Sequence, residues 1–203
     1  MIHVVDYGVG NIQAILNVYK RLGIDVARAK TEDDVRRARR LILPGVGVFD
    51  HAMALFNKSG MRGALEERVR EGAPLLGICV GMQMLADSSE EGNEPGLGLV
   101  AGRVRSFESN PASASLPMPH MGWNDVAPAE RSLLFDGLED DTRFYFLHSF
   151  YFECADERNV AARADYGFRF HCAVRSGNVF GVQFHPEKSH QWGSGFLKRF
   201  AEI

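Results

Sequence analysis

Short apolar runs alternate with stretches of helical periodicity, and this alternation sets the expected order of elements. Residues 2–7 form an apolar run that breaks at Gly8-Val9-Gly10-Asn11; Ile12, Ile15, Leu16, Tyr19 and Leu22 then recur at helical spacing up to Gly23. Strand, turn and helix are predicted. A second strand is expected over residues 24–29, and Thr31 with Asp34 three positions later has the form of a capping box. The helix it opens is expected to carry Arg36, Arg37, Arg39 and Arg40 on a solvated face. Residues 40–43 lead as a third strand into Pro44-Gly45-Val46-Gly47, which reads either as a plain turn or as a loop suited to presenting its amides or changing their orientation. Residues 50–56 and 61–70 read as helices, and Gly72 and Pro74 close the connection to a buried strand ending at Cys79. A helix follows, in which Met82, Met84 and Leu85 are core filler.

The pattern changes after Asp87. Residues 94–98 read as a loop, 100–107 as a strand and 109–119, rich in Ser, Ala and Pro, as an exposed connection. Extended runs are expected over 143–152, 159–164, 168–174 and 179–184, and Phe196, Leu197 and Phe200 mark a closing amphipathic helix. The fold class that results is α/β: a central, mostly parallel sheet with helices on both faces and an antiparallel extension in the C-terminal half.

Length and composition narrow the class. With 203 residues, 45% hydrophobic and 24% charged, the chain suits one well-buried domain over residues 1–203. A net charge of -3 gives no overall field for nucleic acid or anionic lipid, so neither partner is expected. Cys79, Cys154 and Cys172 are odd in number, far apart and free of a Cys-x-x-Cys pair, which suggests neither a disulfide framework nor a metal site. With no leader and no membrane-length apolar run evident, a soluble cytoplasmic protein is expected. Gly8-x-Gly10 lacks the third glycine of a dinucleotide fingerprint, Gln13 standing in its place, so Asn11 reads more simply as a helix N-cap or a polar group at the sheet edge.

Gly77-Ile78-Cys79-Val80-Gly81 has the form of a nucleophile elbow. A strained strand-to-helix turn crowds the backbone, which favours glycine two positions either side of the nucleophile, and amides at the turn lower a thiol pKa and can hold an oxyanion. The competing reading is a buried structural thiol. A cysteine nucleophile needs a base, and the base an orienting group. Residues 180–184 run as a strand into His185-Pro186-Glu187, and alternate residues of an extended chain share a side, so Glu187 is placed to orient His185. Together these predict a Cys79-His185-Glu187 triad.

The elbow, His185-Pro186-Glu187 and Pro44-Gly45-Val46-Gly47 together resemble the class I glutamine amidotransferases. More narrowly, residues 6–11, His120-Met121-Gly122-Trp123-Asn124, Tyr145-Phe146-Leu147-His148-Ser149 and His185-Pro186-Glu187-Lys188-Ser189 resemble the HisH family, the glutaminase subunits of imidazole glycerol phosphate synthase. The resemblance implies a flavodoxin-like fold and hydrolysis of L-glutamine, with no cofactor and no metal. It implies an oxyanion hole at the Val80 amide and, after a peptide rearrangement, at Val46, with glutamine held by Gly47, Gln83, His148 and Ser149. Asn11, Trp123, Tyr145 and Lys188 would then face a (β/α)8 cyclase subunit of the HisF type, bound as a heterodimer and receiving the ammonia. Val80 and Phe150 stand where leucine and tyrosine are usual in this family. A paralogue supplying ammonia to a sugar amidotransferase in surface-polysaccharide synthesis, and a non-catalytic or redox-sensing subunit built on the same elbow, are the alternatives.

Overall fold

In a computed structural model of the chain, residues 1–113, 115–129, 133–138 and 142–203 are described. β1 (Ile2–Val5) is buried throughout, and α1 (Ile12–Arg21) turns Ile12, Ile15, Val18 and Tyr19 inward, as the spacing predicts. β2 (Val26–Ala29) leads to α2 (Glu32–Arg36), whose capping box is complete: the Asp34 amide donates to Thr31 Oγ1 at 3.2 Å and the Thr31 amide to Asp34 Oδ2 at 3.1 Å. α2 is shorter than the arginine run suggests, and Arg40 already begins β3 (Arg40–Gly45). Burying Leu41, Ile42 and Leu43 in the sheet outweighs the good helix propensity of the arginines.

After α3 (Phe49–Lys58) and α4 (Arg62–Arg70), β4 (Leu75–Cys79) is followed by a single helical turn, α5 (Val80–Gln83). Then come β5 (Ser88–Ser89), β6 (Gly102–Ser106), β7 (His120–Asp125), β8 (Ala127–Pro128), β9 (Arg143–His148), β10 (Phe150–Cys154), β11 (Val160–Asp165), β12 (Arg169–Ser176), β13 (Val179–Val182) and the closing α6 (His190–Glu202). Among the described residues the main sheet has 11 strands along the path β2-β1-β3-β4-β13-β12-β10-β6-β5, with β11 and β8 branching from β12. The first five strands of the path are parallel; β12, β10 and β6 alternate against them as the expected antiparallel extension.

Handedness fixes where the helices lie. The chain moves from β1 outward to β2 and then back across to β3, so right-handed crossovers put α1 on one face and α2 on the other. Contacts agree: the Tyr19 hydroxyl joins α1 to α6 by donating to Leu197 O at 3.0 Å, and an Arg36–Glu67 ion pair joins α2 to α4. The strand order reverses at β1 and β3, opening a crevice at the carboxyl edge of the sheet.

One departure shapes that crevice. The run over 143–152 is two strands broken at Ser149: β9 pairs with β7 in a separate two-stranded ribbon, while β10 lies between β12 and β6. β7 itself covers His120–Asp125, a segment the sequence left without an assignment. Phe144 and Phe146 of β9 point into an aromatic cluster, where Phe144 stacks on Phe184 at 3.9 Å, and Tyr145 and Leu147 point outward. The chain crosses between sheets at Ser149, so His148, Ser149 and Phe150 overhang the crevice. The connection over 109–119 is mostly exposed, apart from a buried Ser113; Ala114 within it lies outside the described residues.

Candidate active site

Cys79 closes β4 with φ 56° and ψ -115°, the strained turn that a nucleophile elbow requires. The glycines are demanded by close approach: a Cβ on Gly77 would stand 2.5 Å from Gly81 O, and one on Gly81 would stand 1.9 Å from Leu43 O. The helix beyond is one turn rather than the longer helix expected, and the Cys79 side chain makes no capping bond to it. Met82, Met84 and Leu85 are buried as core. The Tyr7 hydroxyl donates to Pro44 O at 2.7 Å, anchoring the start of the Pro44–Gly47 loop beside Cys79.

His185 arrives differently from the extended-chain expectation. β13 ends at Val182, and Pro186–Lys188 form a 3-10 turn, so it is this turn that brings Glu187 back to the imidazole. His185 Nδ1 donates to Glu187 Oε1 at 2.9 Å, and both side chains are almost fully buried. The turn is clamped by β9: the His185 amide donates to Tyr145 O at 2.9 Å, the Tyr145 amide to Ser189 Oγ at 3.0 Å, and Ser189 Oγ–H to His185 O at 2.6 Å. Burial by itself pulls the His185 pKa down, but hydrogen bonding and charge from Cys79 and Glu187 prevail and raise it to about 10. The imidazolium is therefore favoured at neutral pH, poised against the sulfur.

A cavity of about 280 Å³ opens over Cys79. Its walls include Val46, Gly47, Val80, Gln83, His148, Ser149, His185 and Lys188. The expected oxyanion and glutamine residues are thus gathered in one place. Glu187 lies behind His185. Asn11 stands at the N-cap position of α1, as expected, but its side chain makes no capping bond and reaches Glu187 Oε1 at 3.2 Å instead. Trp123 and Tyr145 sit on the ribbon beside the cavity, Trp123 stacked at 5.3 Å on His190 and Lys188 Nζ 5.7 Å from the Tyr145 ring centre.

Two of the expected substrate contacts are already engaged within the protein. Gln83 Nε2 donates to Gln183 Oε1 at 3.1 Å. His148 Nδ1 donates to Phe150 O at 2.7 Å, and its Nε2 accepts from His120 Nδ1 at 3.0 Å. Burial, with His120 adding to it, pushes the His148 pKa down to about 3, and burial pushes His120 to about 4. Both rings are neutral at neutral pH, in contrast to His185.

Glu91 was missed by the sequence reading. It lines the cavity, held by the Phe49 amide donating to its Oε2 at 2.8 Å, with its carboxyl pKa raised by burial and by the charge of Asp50. Nothing local marks it in a Ser-Ser-Glu-Glu stretch; only the long-range contact does. Among the described residues no group of three His, Cys, Asp or Glu side chains is arranged to hold a metal ion, and no helix is long and apolar enough to cross a membrane. A strained thiol, a carboxylate-supported imidazole and free loop amides around a small cavity are suited to nucleophilic acyl substitution.

Comparison with known proteins agrees with that chemistry. Residues 3–202 match the family described as glutamine amidotransferase class-I. A protein of Bdellovibrio bacteriovorus named imidazole glycerol phosphate synthase subunit HisH is 60% identical over the full length of both chains. Proteins of the same name from Leptospira borgpetersenii and, as HisH 2, from Pseudomonas aeruginosa are 46% and 44% identical, again over both full lengths. Among solved structures, a glutamine amidotransferase crystal structure aligns with a TM-score of 0.77 at 23% identity, covering 100% of this chain and 99% of the other. The structure of PurLQS from Thermotoga maritima aligns at 0.73 and 22%, covering 99% and 97%. These likenesses establish the fold.

Proposed function

Because the chain belongs to the class I glutamine amidotransferases, we propose that it is the glutaminase subunit of an imidazole glycerol phosphate synthase, hydrolysing L-glutamine and passing ammonia to its partner subunit. The observation that carries this reading is Cys79 on its strained turn at the carboxyl edge of β4, beside a His185 whose Nδ1 is held by Glu187 at 2.9 Å.

The Cys79 thiolate attacks the side-chain amide carbon of glutamine. The oxyanion that forms is held by the Val80 amide and, once the Val46-Gly47 peptide has turned, by the Val46 amide. Gly47 sits at φ 86°, where a glycine makes such a turn accessible. Each donor contributes about 3 kcal/mol, or roughly a hundredfold in rate, so the loop's orientation sets whether the enzyme is active or nearly idle. The His185 imidazolium gives its proton to the departing ammonia, leaving a γ-glutamyl thioester. The neutral imidazole next takes a proton from water, whose oxygen attacks the thioester, and glutamate leaves as the thiolate returns. Glu91 is the anionic group placed to meet the substrate's α-ammonium, and Gly47 and Ser149 offer backbone contacts.

The partner in this reading is a (β/α)8 cyclase subunit of the HisF type, forming a heterodimer over the face that carries Asn11, Trp123, Tyr145 and Lys188. Around the cavity mouth Met121 is 65% exposed, Trp123 42% and Leu147 37%, an apolar and aromatic rim suited to being covered. Reconstitution with the cyclase subunit tests the assignment: Cys79→Ala should abolish imidazole glycerol phosphate formation from glutamine and leave formation from ammonium salts intact. Glutamine-driven synthesis by the Cys79→Ala complex, or absence of it in the unmodified complex, would overturn the proposal.

A further inference from the structure

Gln183 is fully buried, and no step above uses it. It follows directly on β13, two residues before His185, with its backbone amide donating to Cys172 O at 2.8 Å. Its carboxamide nitrogen lies 3.8 Å from Cys79 Sγ, within reach of an N–H···S bond. Its oxygen accepts from Gln83 Nε2 at 3.1 Å.

Neighbouring groups fix the direction of this carboxamide. A carbonyl can only accept, so the Gln83 atom that meets Phe150 O at 3.4 Å is its NH2 group. That same NH2 faces Gln183, which must present its oxygen there and its own NH2 to the sulfur. The Phe150 carbonyl is itself fixed by His148 Nδ1–H, whose ring is fixed by His120, and His120 Nε2 accepts from Asn124 Nδ2 at 3.2 Å. Each link from Asn124 to Cys79 has one donor and one acceptor, and neither histidine is charged at neutral pH to reverse the order.

We propose that Gln183 is a further catalytic residue, whose carboxamide N–H holds the Cys79 sulfur in its anionic form, with Gln83 as the positioning residue that aims it. The inference rests on Cys79 being the nucleophile of the proposed glutaminase. In the attack, a sulfur lone pair becomes the C–S bond and the sulfur loses most of its strength as an acceptor. In hydrolysis, water's oxygen adds to the thioester carbon, His185 takes the proton, and the C–S pair returns to sulfur, where the Gln183 N–H meets it again. The contact thus favours both the nucleophile and the leaving group, and it is weakest in the thioester between them. A hydrocarbon of the same volume would fill this site without burying a carboxamide, whose desolvation is costly.

The test is site-resolved alkylation of the intact chain by iodoacetamide, read at Cys79 by mass spectrometry as a function of pH. Gln183→Met and Gln183→Glu preserve the volume, and thermal melts identify which of them is folded. A charge-assisted hydrogen bond to a thiolate implies alkylation about tenfold slower at neutral pH for Gln183→Met, converging on the parent rate at alkaline pH. Gln183→Glu, which places an anion against the sulfur, should be slower still. Gln83→Met, which leaves Gln183 unaimed, should give an intermediate loss. Superposition of the Gln183 variants' pH profiles on the parent profile would overturn the proposal. Because iodoacetamide needs no glutamine, failure here is distinct from failure of the glutaminase assignment, which the reconstituted synthesis reads.

Discussion

Asn11 donates to Glu187 Oε1 at 3.2 Å, the same oxygen that accepts from His185 Nδ1 at 2.9 Å. One carboxylate oxygen therefore carries both the His185 imidazole and a side chain from the start of α1. With Oε1 shared in this way, the Glu187 carboxylate is held in one rotamer and His185 in one tautomer.

Asn11→Ala should consequently act on turnover more than on binding. A partly buried hydrogen bond to a carboxylate contributes about 1.5 kcal/mol, so kcat for glutamine hydrolysis in the partner complex should fall roughly tenfold with KM within about twofold. Steady-state glutamate release measures both. A rise in KM at constant kcat would mean that Asn11 contacts substrate rather than the triad.

Glu187→Gln tests the electrostatics of His185. Cys79 and Glu187 raise the imidazolium pKa against the opposing pull of burial, to about 10. Removing the carboxylate's charge must lower that value, so the alkaline limb of the kcat/KM profile should move to lower pH, with activity at neutral pH reduced by at least about a hundredfold. Stability should follow the same sign. A histidine whose folded pKa lies above the ordinary 6.5 contributes stabilisation in full below 6.5 and loses it as pH rises toward about 10. The gap in Tm between the parent and Glu187→Gln should therefore be widest near neutrality and below, and narrow at alkaline pH.

The opposite sign operates at four other histidines. His148 and His120 are held down to about 3 and 4, chiefly by burial, and His3 and His171 are also lowered. Below pH 6.5 the unfolded chain takes up protons that these rings refuse in the fold, so stability should fall as pH drops from about 6.5 to about 4. Glu91, raised by burial, opposes this as one group against four. Thermal melts across that window should show Tm descending with acidification; a flat or rising Tm would mean that the His120–His148 pair is charged in the native state.

What could be read in advance divides along the range of the interactions. The elbow was legible because Gly77 and Gly81 answer to clashes four residues apart in the chain and with one neighbouring strand. The parallel half of the sheet was legible because each βαβ unit repeats a local period. The break at Ser149 was not: apolar residues continue through it, and only the pairing of β9 with β7 and of β10 with β6 separates the two strands. His185 and Glu187 were correctly placed together for the wrong local reason, since a 3-10 turn, and not an extended strand, brings them to one oxygen. Glu91 and Gln183 carry no local signal. Each matters through a partner more than 40 residues away: Phe49 at a separation of 42 and Cys79 at 104.

Trp123 offers the most direct test of the partner face. It stacks on His190 with an interplanar angle of 10° and meets Tyr145 and Trp192 edge-on, yet it stays 42% exposed. A rigid aromatic held by neighbours of its own chain loses little rotamer freedom on docking, which is what makes such a residue an effective anchor. Its exposed position on a two-stranded ribbon means that truncation removes little of the core. Trp123→Ala should therefore weaken association with the cyclase subunit by about 2 kcal/mol, roughly thirtyfold in Kd by titration calorimetry, while shifting Tm of the isolated chain by less than about 3 °C. Because the adjacent Tyr145 backbone clamps the His185 turn, the same variant should show normal Cys79 alkylation when alone. Loss of alkylation in the isolated protein would place Trp123 among the supports of the triad instead of on the docking face.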